Sequence, residues 1–383
     1  MNRRRGYFDH NATTPMSAVA RAAWLDASEG HWHNPSGLYR EGAEARHFLE
    51  DRRAALADHF GIDDPARVVF TSGATEANNA VIRHLAGSLS GFLVVSEIEH
   101  PSVAAAVNLA ARSEQIRTLP TDPATGAVDL DPLRQWIGEG RVGAVSLMAA
   151  NNETGAHQPW REAAALCREA GLAFHSDAAQ WIGKEAIRGL GDAGFVTGSA
   201  HKFGGGKGCG FLILPDDAKG ESFHGLVGGP QENGHRAGTE DLPGVAAMVA
   251  ALLDLDEGDL SVVAECQGAR RTAFERRVSG EVGAVVLAAE GSRLWNTSML
   301  VLPHGKNLKW LTRLSRRGFG VSTGSACSAG KGNPSAVMMA MGLGFEEMGR
   351  VLRISGGRDT TPKEWDGLAD AFGEVSRELE GES

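Results

Sequence analysis

Between about residues 65 and 215, short apolar runs alternate with stretches in which apolar residues recur three and four positions apart. Strand candidates are 67–70, 92–95, 142–148, 172–175, 194–198 and 211–214, with helical patterns such as 76–86, 102–111 and 161–170 between them. Such alternation predicts an α/β fold with a mostly parallel central sheet and helices on both faces. The 383 residues leave room for more. A long helix is expected over 240–255, and beyond it the pattern changes. Strands are expected at 283–288 and 297–302 and a helix at 306–316. The C-terminal helix starts at Pro362 and carries the stripe Trp365, Leu368, Phe372, Val375 and Leu379. The expected organisation is a large unit of residues 15–255 and a smaller α+β unit made of 1–14 and 256–383.

Composition narrows the partners. Asp and Glu (48) outnumber Lys and Arg (38), a net charge of −10 that argues against electrostatic nucleic-acid binding. Arg3, Arg4 and Arg5 precede no apolar run, so no signal peptide is read there, and the apolar stretch 244–253 stops at Asp254, short of a membrane span. Four cysteines (Cys167, Cys209, Cys266, Cys327) fit no zinc spacing, and no metal site is expected. They read as free thiols of a soluble, cytoplasmic protein. Glycine is in excess, 50 of 383 residues, about twice the ~7% average.

In open parallel sheets, ligands bind where strands hand over to loops at their carboxyl ends. After the first expected strand comes Thr71-Ser72-Gly73-Ala74-Thr75-Glu76, a hydroxyl-rich helix start that suits a phosphate, or simply a cap. The following strand ends deliver His100, Asn152, Asp177 with Gln180, and Ser199-Ala200-His201-Lys202. Each alone has a structural explanation; their shared location is the argument. A lysine beside a carboxylate, an amide, a histidine and a phosphate-binding turn is the set that pyridoxal phosphate requires. The glycine run 204–208 is not a Walker loop, because neither Ser nor Thr follows Lys207.

On these residues, and on further motifs spanning nearly the whole chain, the sequence resembles the cysteine desulfurases of the fold-type I, class V aminotransferase superfamily. The motifs include Asp9-His10-Asn11-Ala12-Thr13-Thr14-Pro15, Asn34-Pro35-Ser36, Asn151-Asn152-Glu153-Thr154-Gly155, Arg236-Ala237-Gly238-Thr239 and Ser322-Thr323-Gly324-Ser325-Ala326-Cys327. The resemblance implies pyridoxal 5'-phosphate held covalently by Lys202, with Asp177 at the ring nitrogen and Asn152 and Gln180 at the ring oxygen. His100 would stack on the ring and assist proton transfer. Ala74, Thr75, Ser199 and His201 would hold the phosphate, and Thr239 would reach the cofactor of the other subunit of a homodimer. Arg353, assisted by Asn34, would clamp the carboxylate of the substrate L-cysteine, and Lys202 would take the α-proton. The Cys327 thiolate would attack the substrate sulfur, leaving a persulfide and alanine, and pass the sulfur to an iron–sulfur scaffold or a thio-modification enzyme. Cys327 sits among small polar residues, as suits a reactive thiol. Cys209 reads as a buried strand residue, Cys167 and Cys266 as helical ones.

The chain departs from the family pattern at Gly37, Tyr39, Pro230 and Gly356, none of which removes a catalytic group. Two other readings compete. A selenocysteine lyase or another class V lyase or aminotransferase would keep Lys202, Asp177 and Arg353 without depending on Cys327. An inactive scaffold in a sulfur-transfer complex would need none of the chemistry.

Overall fold

The computed structural model describes residues 6–255, 257–324 and 335–381. Seven strands form one sheet in the spatial order Val68–Thr71, Gly210–Ile213, Phe195–Ser199, Ala173–Asp177, Val142–Ser146, Phe92–Ser96 and Ile116–Leu119. Neighbours run parallel except Gly210–Ile213, which is antiparallel to both of its own. The mostly parallel sheet expected from the alternation is therefore present. The two-residue period of a strand divides its side chains between two cores. Val68, Phe70, Val94, Val196, Phe211 and Ile213 face one. Val69, Leu93, Val95, Phe195 and Leu212 face the other, beneath helices Ala74–Gly87 and Pro101–Ala110.

Of the elements in this layer that were not foreseen, three bear on the packing. Strand Ile116–Leu119 lies at the sheet edge and is only partly buried, so it lacks the continuous apolar run of its neighbours. Helix Ala18–Gly30 packs on helix Leu242–Leu253. Helix Arg40–His59 is rich in charge, yet Ala45, Leu49, Arg53 and Leu56 form a buried face at three- and four-residue spacing. The helix expected over 240–255 spans Leu242–Leu253, with Asp241 Oδ1 capping Gly244 N at 3.0 Å.

The second sheet has the order Val351–Ser355, Thr297–Val301, Val285–Val286, all antiparallel. The strand expected at 283–288 shrinks to those last two residues. Beside it Gly6–Tyr7 pairs in parallel with Phe319–Gly320. A separate aromatic core of Phe8, Phe274, Trp310, Phe319, Trp365 and Phe372 closes this part. The C-terminal helix Pro362–Glu380 buries the whole expected stripe and starts on a capping box between Thr361 and Glu364.

Packing also explains two of the sequence departures. A Cβ on Gly37 would lie 2.6 Å from the Tyr39 ring, so the glycine and the tyrosine are sterically one change. A Cβ on Gly356 would lie 2.7 Å from the Trp365 indole. Nothing in the structure explains Pro230. Among the described residues, no helix is long and apolar enough to cross a membrane and no group of His, Cys, Asp and Glu could hold a metal.

Candidate active site

The carboxyl ends of the parallel strands open onto a cavity of about 580 Å³. Nine of the residues singled out from the sequence line it: Ala74, Thr75, His100, Asn152, Asp177, Gln180, Ser199, His201 and Lys202. Lys202 ends the single 3-10 turn that follows strand Phe195–Ser199. Its Nζ donates to the carbonyls of Asn11 (2.6 Å) and Ala12 (3.0 Å). Burial, with Arg353 nearby, lowers its ammonium to about 8, against the opposing pull of Asp177 and Asp9.

Asp177, the last residue of its strand, is buried. Its Oδ1 accepts from Ala179 N at 3.0 Å and its Oδ2 from Asn78 Nδ2 at 2.7 Å. Gln180 Nε2 donates to Asn11 O (3.0 Å), while its Oε1 accepts from Lys184 Nζ (2.9 Å). Lys184 is itself fully enclosed. Burial, and the charges of Lys202 and Arg353, push its ammonium down to about 7.

Also on the cavity lining, Gly73 takes φ +145°, and helix Ala74–Gly87 starts there without a side-chain cap. The open N–H groups of that first turn face the cavity together with Ser199 and His201. Close backbone crossing demands small residues here, since a Cβ on Gly210 would lie 2.6 Å from Gly73 Cα. Burial lowers the His201 imidazole to about 4, reinforced by Lys202, Lys207 and Lys184. Glu76 would oppose an anion. Burial pushes its carboxyl up, but hydrogen bonds from Arg236 (2.9 and 3.2 Å) and Ser72 N (2.9 Å) outweigh this and hold it below the usual range.

Three expected residues stand outside the cavity wall. Asn34 is exposed, its Oδ1 accepting from Ser36 N at 2.8 Å. Thr239 is exposed and borders a separate cleft of about 80 Å³. Arg353 lies buried just behind the wall, donating to Asn152 O (2.8 Å) and Asp9 Oδ1 (2.7 Å), with Nε unpartnered. Cys327 lies outside the described residues. Of the other cysteines, Cys167 and Cys209 are buried, their thiols pushed up by burial, and Cys266 is exposed.

The sequence reading missed Asn78, Ser102, Thr197 and Lys184. A signal existed for Asn78, an amide on the buried face of a helix otherwise lined by Ala77, Val81 and Leu85.

Fold and cavity together define an α/β protein in which a lysine and a carboxylate share one cavity with an uncapped helix terminus. The family profile described as aminotransferase class-V matches residues 6–368, and the chain belongs to that family. A relative from Cereibacter sphaeroides named cysteine desulfurase is 36% identical over 98% of this chain and 96% of its own. Among solved structures, a NifS-like protein superposes with a TM-score of 0.88 at 27% identity, covering 98% of this chain and 100% of that one. A second, described as SspA in complex with cysteine, gives 0.78 at 28% identity over 91% of this chain and 98% of that one.

The family implies pyridoxal phosphate as cofactor, and the residues present fit it. The first turn of helix Ala74–Gly87 has no side-chain cap, so its free N–H groups suit a phosphate, and Lys202 and buried Asp177 line the same cavity as the amine and carboxylate that the aldehyde and ring nitrogen require.

Proposed function

We propose that this protein is a cysteine desulfurase that converts L-cysteine to L-alanine and hands the sulfur to an acceptor through a persulfide on Cys327. The observation that carries the reading is the convergence of Lys202 and Asp177 with the uncapped turn at Ala74 in one cavity. It is supported by full-length relatives named cysteine desulfurase and by a structural neighbour described in complex with cysteine.

In this reading the N–H groups at Ala74 and Thr75, with Ser199 and His201, hold the phosphate. Asn152 and Gln180 orient the ring oxygen, and His100 stacks on the ring. Asp177 keeps a proton on the ring nitrogen, and Lys202 is the covalent anchor. When bound, the cofactor supplies an electron sink for charge developing at the substrate α-carbon. Once its amine is free, Lys202 takes the α-proton and later returns a proton to the product. Arg353, with Asn34, binds the substrate carboxylate through its planar fork of donors. The Cys327 sulfur bonds to the substrate sulfur as the substrate C–S bond breaks, so a thiol and cysteine become a persulfide and alanine.

The same reading makes the protein a homodimer. Thr239 is exposed and does not line its own cavity, which leaves it free to serve a second copy. Apolar side chains at Trp24, Trp32, Leu38, Tyr39, Leu226 and Val227 stand exposed for such a contact. Residues 15–255 form the cofactor-binding unit, and 1–14 with 256–383 form the smaller unit that carries Cys327. The acceptor is an iron–sulfur scaffold or a thio-modification enzyme of the same cytoplasm.

The test is Cys327→Ala in cofactor-loaded protein. The visible absorbance of the bound cofactor should persist while sulfide release from L-cysteine stops. Retained desulfuration overturns the persulfide route and favours a selenocysteine lyase or another class V lyase; no turnover in the intact protein favours the scaffold.

A further inference from the structure

We infer that Asn78 and Ser102 act as positioning residues that hold His100 as a neutral imidazole with its proton on Nε2, making it a hydrogen-bond donor and excluding it as a proton acceptor. The inference comes from the direction in which one hydrogen-bond chain can run.

A carboxylate only accepts hydrogen bonds. Asp177 Oδ2 therefore fixes the orientation of the Asn78 amide, whose Nδ2 lies 2.7 Å away. The second Nδ2 hydrogen goes to Ser102 Oγ at 2.9 Å, and Asn78 Oδ1 accepts from Thr197 Oγ1 at 2.6 Å. Asn78 is thus saturated on both ends. Ser102 Oγ, having accepted from Asn78, directs its own hydrogen to His100 Nδ1, 2.8 Å away.

The backbone settles the remaining ambiguity. Ser102 N–H also donates to His100 Nδ1, at 3.2 Å, because His100 is the N-cap of helix Pro101–Ala110. A hydroxyl can turn to suit either tautomer, whereas a backbone N–H cannot. An Nδ1–H tautomer, and equally an imidazolium, would set two donors against each other at the positive end of a helix. Only Nε2 is left to carry the proton.

The titratable groups sharing the cavity with His100 are Glu76, Asp177, His201, Lys202 and Lys207, of which His201 is held neutral by burial. Burial lowers the imidazole, Lys202 adds to this, and Asp177 opposes it. The hydrogen-bond pattern and the burial act in the same direction. On the proposed reading of the cavity, proton removal from substrate then falls to Lys202, and His100 contributes ring stacking and a fixed N–H. The tautomer itself does not depend on that reading.

The test is nuclear magnetic resonance of pyridoxal-phosphate-loaded protein labelled with 15N in its histidine rings, with the His100 signals assigned by their loss in His100→Gln. The expected result is an Nδ1 resonance of the acceptor type, an Nε2 resonance of the protonated type, and a titration midpoint below that of an ordinary histidine. Ser102→Ala removes one of the two donors to Nδ1 and should raise the His100 pKa by roughly one unit; Ser102→Thr should restore it. A protonated Nδ1, titration near an ordinary histidine value, or an unchanged pKa in Ser102→Ala overturns the proposal. Failure to take up cofactor, seen as a missing visible band, counts against the reading of the cavity instead. The tautomer is then read on the same protein without cofactor.

Discussion

At the scale of single residues, the Lys202 amine is the most exposed to test. An ammonium moved from its ordinary 10.5 to about 8 loses its proton more easily than a surface lysine. Only the neutral amine attacks an aldehyde, so cofactor capture by protein stripped of pyridoxal phosphate should quicken as pH rises through about 8. Well below that midpoint the rate should climb about tenfold per pH unit, following the deprotonated fraction, and above it the rate should level off. Stopped-flow absorbance of the uptake reaction gives the profile. A midpoint near the ordinary lysine value would mean that burial and Arg353 do not act on this amine. Lys202→Ala should abolish the covalent visible band altogether. Lys202 and Asp177 were legible in the sequence because each sits at the carboxyl end of a strand or in the turn after it. The hydrogen bonds behind them were not, since Asn78 reaches Asp177 across 99 residues and Thr197 across 119.

At the scale of elements, one buried contact ties strand Val68–Thr71 to the segment leading to Thr239, and one glycine sets the start of helix Ala74–Gly87. Glu232, at a positive φ of 50°, accepts from Arg53 (2.6 and 2.9 Å) and from Phe70 N (2.8 Å). Both side chains are shielded from water. Glu232→Ala would leave the buried Arg53 guanidinium only the half-exposed Glu50 (3.0 Å) and Val68 O (2.6 Å), and should cost about 3 kcal/mol in urea unfolding, the low end for a broken buried pair. A loss under ~1 kcal/mol, typical of an exposed pair, would show that water reaches the site. Gly73 supplies a second test. Its φ of +145° is a conformation side chains rarely adopt, and the N–H groups that start helix Ala74–Gly87 are aimed by it. Gly73→Ala should weaken retention of pyridoxal phosphate roughly tenfold, at a strain of order 1–3 kcal/mol, as measured by equilibrium dialysis. The start and buried face of helix Pro362–Glu380 were legible because Pro362 and the stripe from Trp365 to Leu379 agree. Helix Arg40–His59 was not, because its apolar face is narrow and carries a buried arginine whose partner lies 179 residues away.

At the scale of the whole molecule, the segment from Gly6 to Thr14 joins the two sheets. Phe8 N bonds Gly320 O, Ser355 N bonds Phe8 O, and His10 N bonds Ser355 O. Asn11 and Ala12 then turn their carbonyls to Lys202, and Asn11 Nδ2 donates to Thr297 Oγ1. The alternating pattern revealed the large sheet, but this stitching is tertiary and leaves no periodic trace. Arg353 is the clearest case. Read from its motif, it is a free clamp for substrate. In the fold it projects from strand Val351–Ser355 and is already shared between Asp9 Oδ1 and Asn152 O. If Arg353 binds the substrate carboxylate, that group must compete with Asp9 for the same guanidinium edge. Asp9→Asn removes the competing charge and leaves the bond to Asn152 O to hold the guanidinium in place. KM for L-cysteine, followed by alanine formation, should then fall by roughly three- to tenfold, the scale of a surface-to-partly-buried ion pair. Stability should drop by about 1–3 kcal/mol, because the pair is largely buried on the arginine side. A KM that rises instead would make Asp9 the residue that aims Arg353, and the ion pair a necessary part of the clamp.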